Sequence, residues 1–148
     1  MILLLGWGGL SACGDPEPEP SGTIVVGNSG EKIVPNQAGI QEFVSAGGHK
    51  SWQRLQTQLE SLPPHTEVII YYNERYLNAR KQSSYPMPIG AMAVVEENYS
   101  GGTSIEGYSA SLKSSTGTTA QSWLWWQAAT TNLSVARAYG IAVEDCMR

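Results

Sequence analysis

The middle of the chain carries a run of β-branched and aromatic side chains, Val68-Ile69-Ile70-Tyr71-Tyr72, which restricts the fold more than any other stretch. Such residues fit a pleated, buried surface, so the run predicts a buried strand. Three further strand-like runs follow at residues 90–95, 108–113 and 122–127, separated by polar stretches rich in turn-forming residues. Consecutive strands joined in this way usually pair antiparallel, and the sequence therefore predicts an antiparallel sheet.

Helical patterns flank these strands. Apolar residues at helical spacing, followed by Pro63-Pro64, predict an amphipathic helix over residues 51–62; they are Trp52, Leu55, Leu59 and Leu62. Residues 74–82 predict a short polar helix and residues 132–139 another, whereas residues 23–27 fit either a first strand or a tail. The predicted class is therefore α+β, a mainly antiparallel sheet flanked by short helices.

Composition and spacing exclude several functions. The net charge is −4 and there is no basic cluster, so we expect no nucleic-acid partner. The two histidines, His49 and His65, lie in no zinc-binding pattern, and no Gly-x-Ser-x-Gly elbow is present. Glu96 and Glu97 are neighbours on a predicted strand and point to opposite faces, so we interpret them as a solvated strand end.

An aromatic block, Trp123-Leu124-Trp125-Trp126, occupies the last predicted strand. Alternation places Trp123 and Trp125 on one face and Leu124 and Trp126 on the other. One face is expected to pack under the helices. The other fits either ordinary core or a covering loop, partner or flat apolar ligand such as a porphyrin.

The first 22 residues resemble the leader and tether of a bacterial lipoprotein. Leu10-Ser11-Ala12-Cys13 follows an apolar run and resembles a lipobox, in which the cysteine is acylated. We therefore predict a signal peptide at 1–12, a Pro/acid tether at 13–22 and one domain at 23–148. The run lacks a preceding Lys or Arg, so a start further upstream, a buried N-terminal strand and an unanchored N-terminus stay open as alternatives.

Five motifs in order resemble the cytochrome P-460 and cytochrome c′-beta family over about residues 40–148. They are Thr66-Glu67-Val68-Ile69-Ile70-Tyr71-Tyr72-Asn73, the segment from Tyr85-Pro86 to Glu96-Glu97, Gly107-Tyr108-Ser109-Ala110-Ser111-Leu112-Lys113, Trp123-Leu124-Trp125-Trp126, and Val143-Glu144-Asp145-Cys146. The resemblance implies a mainly antiparallel β fold and a periplasmic c-type haem protein. Members bind nitric oxide and related ligands or oxidise hydroxylamine.

The resemblance implies that Cys146 forms a thioether to haem c. Cys146-Met147-Arg148 matches the start of a Cys-x-x-Cys-His motif, whose last two positions lie beyond Arg148. If the protein continues into Cys-His, it is a haem protein. If it ends at Arg148, Cys146 gives at most one thioether and the proximal histidine is missing. By the same resemblance, His65 and Tyr85 fall near the open face of the haem, although for His65 a polar residue at a strand entrance fits equally well.

One departure from the family bears on activity. Hydroxylamine-oxidising members carry a lysine that cross-links the porphyrin, and here Val95 or Glu96 stands at that position. Lys113 matches a different family lysine and is interpreted as solvated. The resemblance therefore favours binding of a small gaseous or nitrogenous ligand, or electron transfer with an unidentified redox partner, over hydroxylamine oxidation.

The leading hypothesis is a haem-binding lipoprotein held at a bacterial membrane, in the periplasm or at the cell surface, through Cys13. The rival hypothesis is a haem-free binding or structural lipoprotein that keeps the fold. Exposed sheet edges also favour a homodimer.

Overall fold

The computed structural model describes residues 22–27, 30–58, 65–99, 104–130 and 136–141. Within these ranges the helices are α1 (Gln37–Ser45) and α2 (Glu74–Lys81), and 3₁₀ turns span Gly48–Ser51 and Ala120–Ser122. The strands are β1 (Ile24–Val25), β2 (Lys32–Ile33), β3 (Gln53–Gln58), β4 (His65–Tyr72), β5 (Met92–Tyr99), β6 (Ile105–Lys113), β7 (Trp123–Ala129) and β8 (Ala136–Ile141). Neither described helix is long and apolar enough to cross a bilayer.

Strands β3 to β8 form one six-stranded sheet in sequence order, and β1 and β2 form a separate two-stranded ribbon. Every neighbouring pair is antiparallel. The four strands predicted from the sequence correspond to β4, β5, β6 and β7. The predicted α+β class with a mainly antiparallel sheet is confirmed.

One face of the large sheet, which we call the inner face, carries the hydrophobic core. The registers Tyr71↔Val94, Val94↔Ala110 and Ala110↔Trp126 align these side chains in one row across four strands. Ile40 of α1 contributes to the same buried cluster. Every second residue of these four strands faces inward, and the register places the inward-facing residues side by side. They form one continuous apolar surface, against which α1 packs.

The helix predicted over residues 51–62 is wrong in its described part, residues 51–58. Gln53–Gln58 is instead the strand β3, paired with β4 in the register Leu55↔Ile70. Trp52 is buried in the core while Leu55 is 52 % exposed, so these two residues do not share one buried face. The exposed backbone edge of β4 supplies hydrogen-bond partners for an extended segment, and this tertiary pairing overrides the local spacing.

The short helix predicted over residues 132–139 is also wrong in its described part. Residues 136–141 form β8, which pairs with β7 through Gln127↔Ala138 and Leu124↔Ile141. Beside the Trp-rich strand β7, a further strand completes the backbone hydrogen bonds that a helix would leave unmade on that edge. The chain thus runs along β7 and reaches the Trp123 end of that strand at Ile141.

Asn73 fixes the junction between β4 and α2. The predicted helix over 74–82 is confirmed as Glu74–Lys81, and Asn73 is its N-cap, since the Oδ1 atom accepts a hydrogen bond from the backbone N–H of Tyr76 at 3.0 Å. The same oxygen accepts from the backbone of Met92, while Nδ2 donates to the carbonyls of Val26 and Gly90 at 2.8 and 2.6 Å. This one fully buried side chain therefore ties α2, β5 and the segment after β1 together.

Candidate functional site: an aromatic groove on the outer face of the sheet

The face opposite the core, which we call the outer face, carries the remaining alternating side chains. The registers Ala93↔Ser111 and Ser111↔Trp125 form one row of it, and Lys113↔Trp123 lies in the next row. Leu124 and Trp126 are in the core, whereas Trp125 is 41 % exposed. The predicted division of the Trp block between two faces is thus confirmed, and the Trp125 face is the open one.

A groove of about 360 Å³ lies on this outer face. Its lining comes from α2, β6, β7 and the loop between β6 and β7, and consists of Tyr76, Ser111, Thr118, Thr119, Ala120, Trp123 and Trp125. The volume is at the small end of the range of ligand sites in proteins, about 300–1,000 Å³. Three aromatic rings with hydroxyl groups between them form a surface suited to a flat organic ring.

Lys113 holds the loop wall of the groove in place. Its Nζ donates to the carbonyl of Gly117 at 2.6 Å and to the Ser122 hydroxyl, and it lies 5.5 Å from the centroid of the Trp123 ring. Gly117 has φ of 124°, a conformation that glycine adopts without strain. Lys113 is 1 % exposed, so the interpretation of this lysine as solvated is wrong. Burial lowers the pKa of Lys113 below its ordinary value.

The helical wall of the groove is a pair of stacked tyrosines. The rings of Tyr72 and Tyr76 are 4.8 Å apart and nearly parallel, so the end of β4 supports the first turn of α2. Burial raises the pKa of Tyr72, and Tyr76 adds to that rise, while the charge of Arg80 lowers it. The Tyr72 phenol therefore stays neutral at physiological pH, and Arg80 lies within electrostatic reach of it.

A second polar feature, the His49 cluster, lies on the inner face and consists of His49, Lys50, Tyr71 and Glu96. Glu96 Oε1 accepts from His49 Nε2 at 3.0 Å and from Lys50 Nζ, and Oε2 accepts from the Tyr71 hydroxyl at 3.1 Å. Tyr108 closes the cluster from β6, with its ring centroid 6.0 Å from that of His49.

The interpretation of Glu96 and Glu97 as a solvated strand end is wrong. Glu96 is 1 % exposed and Glu97 is 7 % exposed, with the amide of Gln127 3.4 Å from a Glu97 carboxylate oxygen. The two side chains do point to opposite faces, as alternation predicts. Partners that are distant in sequence, above all His49, supply the hydrogen bonds that make burial of Glu96 tolerable.

Charges in the His49 cluster follow from burial and mutual contact. Burial lowers the pKa of His49, and the neighbouring Glu96 only partly opposes this, so the imidazole is neutral. Burial alone would raise the pKa of Glu96, but hydrogen bonds from Lys50, His49 and Tyr71 hold it below its ordinary value. Because a carboxylate only accepts, His49 carries its hydrogen on Nε2, and Nδ1 has no hydrogen-bond partner within the described residues.

We expect the stability of the protein to fall as the pH drops below about 6.5. The ordinary pKa of histidine, 6.5, applies to the unfolded chain, and the folded value for His49 is lower. Between these values the unfolded state binds a proton that the folded state does not. Stability from neutral His49 is therefore present above pH 6.5 and is lost as the pH falls toward the folded pKa, by at most about 1.4 kcal/mol per pH unit. The free energy of unfolding in urea at a series of pH values measures this slope.

The variant His49→Gln is the decisive comparison for this slope. A glutamine amide can still donate to Glu96 and does not titrate, so the loss between pH 6.5 and pH 4.5 should largely disappear. His65→Gln removes the other histidine of the chain and should keep the slope. Equal slopes in wild type and His49→Gln would contradict the assignment. Below pH 4.5, protonation of Glu96 adds a further loss in both proteins, since its folded pKa lies below that value.

Two of the residues predicted for the site, His65 and Tyr85, lie away from the groove. His65 opens β4 opposite Tyr99 and is seven residues, about 23 Å along the strand, from Tyr72, whose ring stacks on the groove residue Tyr76. Tyr85 is 73 % exposed between α2 and β5 and does not line the groove. Cys13 and Cys146 lie outside the described residues. Within the described ranges, no group of three or more His, Cys, Asp or Glu is placed to hold a metal ion.

The sequence pointed to Trp123 and Trp125 but missed the rest of the groove. Ser111 and Lys113 alternate onto one face of their strand, a pattern that is visible in the sequence. This alternation identifies residues at the groove only once the β6–β7 register is known, because the register places Ser111 and Lys113 beside Trp125 and Trp123. Tyr76 and residues 118–120 carried no comparable signal, because α2 and the loop reach the groove through tertiary packing.

The fold and the groove define a small α+β domain with an open aromatic site on the outer face of its sheet. Compared with known proteins, the chain matches no protein-family model, no curated protein and no solved structure.

Proposed function

We propose that this chain is a haem-binding domain of the cytochrome P-460 and cytochrome c′-beta type, with the porphyrin lying against Tyr76 and Trp125 in the outer-face groove. The complete protein would be a periplasmic or surface lipoprotein, anchored through Cys13, that binds a small nitric-oxide-like ligand or transfers electrons. The observation that carries the proposal is the groove itself, with three aromatic rings around one open site on the strand that the family motifs include.

The chain path also supports the proposal. β8 ends at Ile141, opposite Leu124 and next to Trp123 and Trp125. Cys146 follows five residues later, and five residues span at most about 18 Å. A thioether at Cys146 is thus compatible with a ring in the groove.

Tyr76, Trp123 and Trp125 would contact a porphyrin through their rings, but the groove residues supply no histidine or thiol for iron, and Tyr76 is the one phenol among them. Haem c would supply the site for a bound gas or for an electron. In the family pattern the axial ligand belongs to the motif that begins at Cys146, so the groove residues would orient the ring and exclude water. Neither Val95 nor Glu96 can form the cross-link of hydroxylamine-oxidising members, and hydroxylamine oxidation therefore stays disfavoured.

A second candidate function is haem-free binding of another flat organic ligand at the same groove. The lining favours it in one respect, since four of its seven residues, Tyr76, Ser111, Thr118 and Thr119, carry hydroxyl groups. Hydroxyls position a ring by hydrogen bonds and need no metal.

We expect the complete protein, including whatever its gene encodes beyond Arg148, to acquire a Soret band when it is expressed with c-type maturation machinery and an export signal, from haem that stays attached on a denaturing gel. Cys146→Ser should abolish the attachment. Cys13→Ser, the matched control, should keep the haem and move the protein from the detergent phase to the aqueous phase. If wild type shows no Soret band and added haemin quenches its tryptophan fluorescence no more than that of Trp125→Ala, the haem proposal is wrong.

A further inference from the structure

The charges around the groove point to the chemistry of its ligand. None of the seven lining residues is Asp, Glu, Lys, Arg or His, yet two cations flank the site on a chain whose net charge is −4. Lys113 lies at the Trp123 end, under the loop wall, and Arg80 lies beside the tyrosine wall. Both of these flanking charges are positive, opposite in sign to the net charge of the protein.

Lys113 is a buried cation without a counter-ion. Its two hydrogen bonds go to uncharged oxygens, those of Gly117 and Ser122, and no carboxylate of the described residues forms an ion pair with it. An ammonium group has three donors, so one N–H is left over beside the Trp123 ring. Burying a charge without an opposite charge is costly, and an anion bound nearby would offset that cost.

Arg80 completes the arrangement from the helix side. It follows Tyr76 by one turn of α2, so both residues lie on the same helical face. The charge of Arg80 lowers the pKa of the Tyr72 phenol, which agrees with this placement on the helix. Arg75 on the same helix differs, because its guanidinium is 3.4 Å from the carbonyl of Ile89.

We propose that the outer-face groove selects an anionic ligand, a flat aromatic ring bearing carboxylates, with Lys113 and Arg80 as the residues that recognise the negative charge. The inference rests on the proposed function in one respect, namely that a flat ring lies on Tyr76 and Trp125. It goes further by assigning charge selectivity to two residues outside the groove lining. A porphyrin with free propionates has this chemistry, and its ester does not.

The test compares metal-free protoporphyrin IX with its dimethyl ester, which keeps the ring and loses both charges. Quenching of tryptophan fluorescence, in one detergent buffer for both ligands, gives the two dissociation constants. We expect the ester to bind about tenfold more weakly, as the loss of charge-assisted contacts predicts. Binding of the diacid should also weaken as salt is added, whereas binding of the ester should not. Because no iron is present, the result does not depend on haem attachment.

Two variants locate the charge effect. Arg80→Gln should weaken the diacid about threefold and leave the ester unchanged, as expected for a partly screened surface charge. Arg75→Gln, the matched control on the same helix, should change neither. Lys113→Met should reduce the preference for the diacid to near unity. If Lys113→Met fails to fold, the comparison of Arg80→Gln with Arg75→Gln and the salt series still test the inference.

Equal affinities for the two porphyrins in wild type would overturn the charge inference while leaving a ligand groove in place. Equal affinities in wild type and Trp125→Ala for both porphyrins would instead overturn the placement of a ring in the groove, and with it the proposed function.

Discussion

Replacing Trp126 with alanine is expected to lower the free energy of unfolding by about 3–5 kcal/mol. Trp126 is fully buried on the inner face, between Ala110 on β6 and Tyr139 on β8 in the strand register. Its removal leaves a large cavity in the cluster that also contains Ile40 and Val94. Because neighbouring side chains on a sheet cannot collapse into the space without breaking register, little of the loss should be recovered. Chemical denaturation followed by far-ultraviolet circular dichroism measures the change.

Trp125→Ala is the matched control one residue away on the same strand. Trp125 is 41 % exposed, so its removal should cost less than about 1 kcal/mol of stability and should act on ligand binding instead. Trp126→Phe keeps most of the buried area and removes the indole N–H, which has no hydrogen-bond partner within the described residues. We therefore expect it to cost far less than Trp126→Ala. Similar losses for Trp125→Ala and Trp126→Ala would contradict the assignment of the two faces.

Asn73→Ala is expected to be the second most damaging substitution, with a loss of about 3–5 kcal/mol. Four hydrogen bonds of this buried side chain disappear at once, two accepted by Oδ1 and two donated by Nδ2. The carbonyls of Val26 and Gly90 and the N–H of Met92 lose a side-chain partner that water cannot readily replace. At the low end of about 1–3 kcal/mol for each buried group left unpaired, these three groups and the α2 cap, worth about 1 kcal/mol, together give about 4 kcal/mol. Thermal unfolding and urea denaturation both measure the effect.

Asn36→Ala is the internal control for this prediction. Asn36 is the N-cap of α1 and accepts one hydrogen bond, from the backbone of Gly39 at 2.9 Å. Its loss should cost only the capping term, about 1 kcal/mol. A loss at Asn73 no larger than that at Asn36 would show that the three further contacts of Asn73 contribute nothing. Because Asn73 also positions Tyr76, we expect Asn73→Ala, if it folds, to weaken porphyrin binding, whereas Asn36→Ala should not.

Strands with strong local signals were predictable, and elements shaped by pairing were not. Val68 to Tyr72 combines β-branched and aromatic residues and forms β4, and residues 108–113 alternate cleanly and fall within β6. The segment Gln53–Gln58 contains good helix formers, Gln, Arg and Leu, but such propensity is a weak preference that tertiary pairing overrides. Its structure was therefore decided by the free backbone edge of β4. The helical spacing of the apolar residues led to a wrong prediction because Trp52 is buried in the core and Leu55 is exposed.

The candidate site shows the same division. Alternation along β7 was enough to place Trp123 and Trp125 on one face, and the structure adds that this face is open. Lys113 could not be recognised as buried, since its partners in residues 117–122 reach it only through the fold of the loop. The His49 cluster was equally inaccessible, because 47 residues separate His49 from Glu96 and neither lies in a sequence motif.

The sequence by itself determined the α+β class, the strands β4 to β7, helix α2 and the two-faced character of the Trp block. Each of these depends on side-chain size, branching and period over a few consecutive residues, which local physics sets. The tertiary structure alone decided the strands β3 and β8, the burial of Lys113 and Glu96, and the walls of the groove. These depend on which distant backbone edges and polar groups meet, and a hydrogen bond or a desolvated charge is favourable only when its partner is in place.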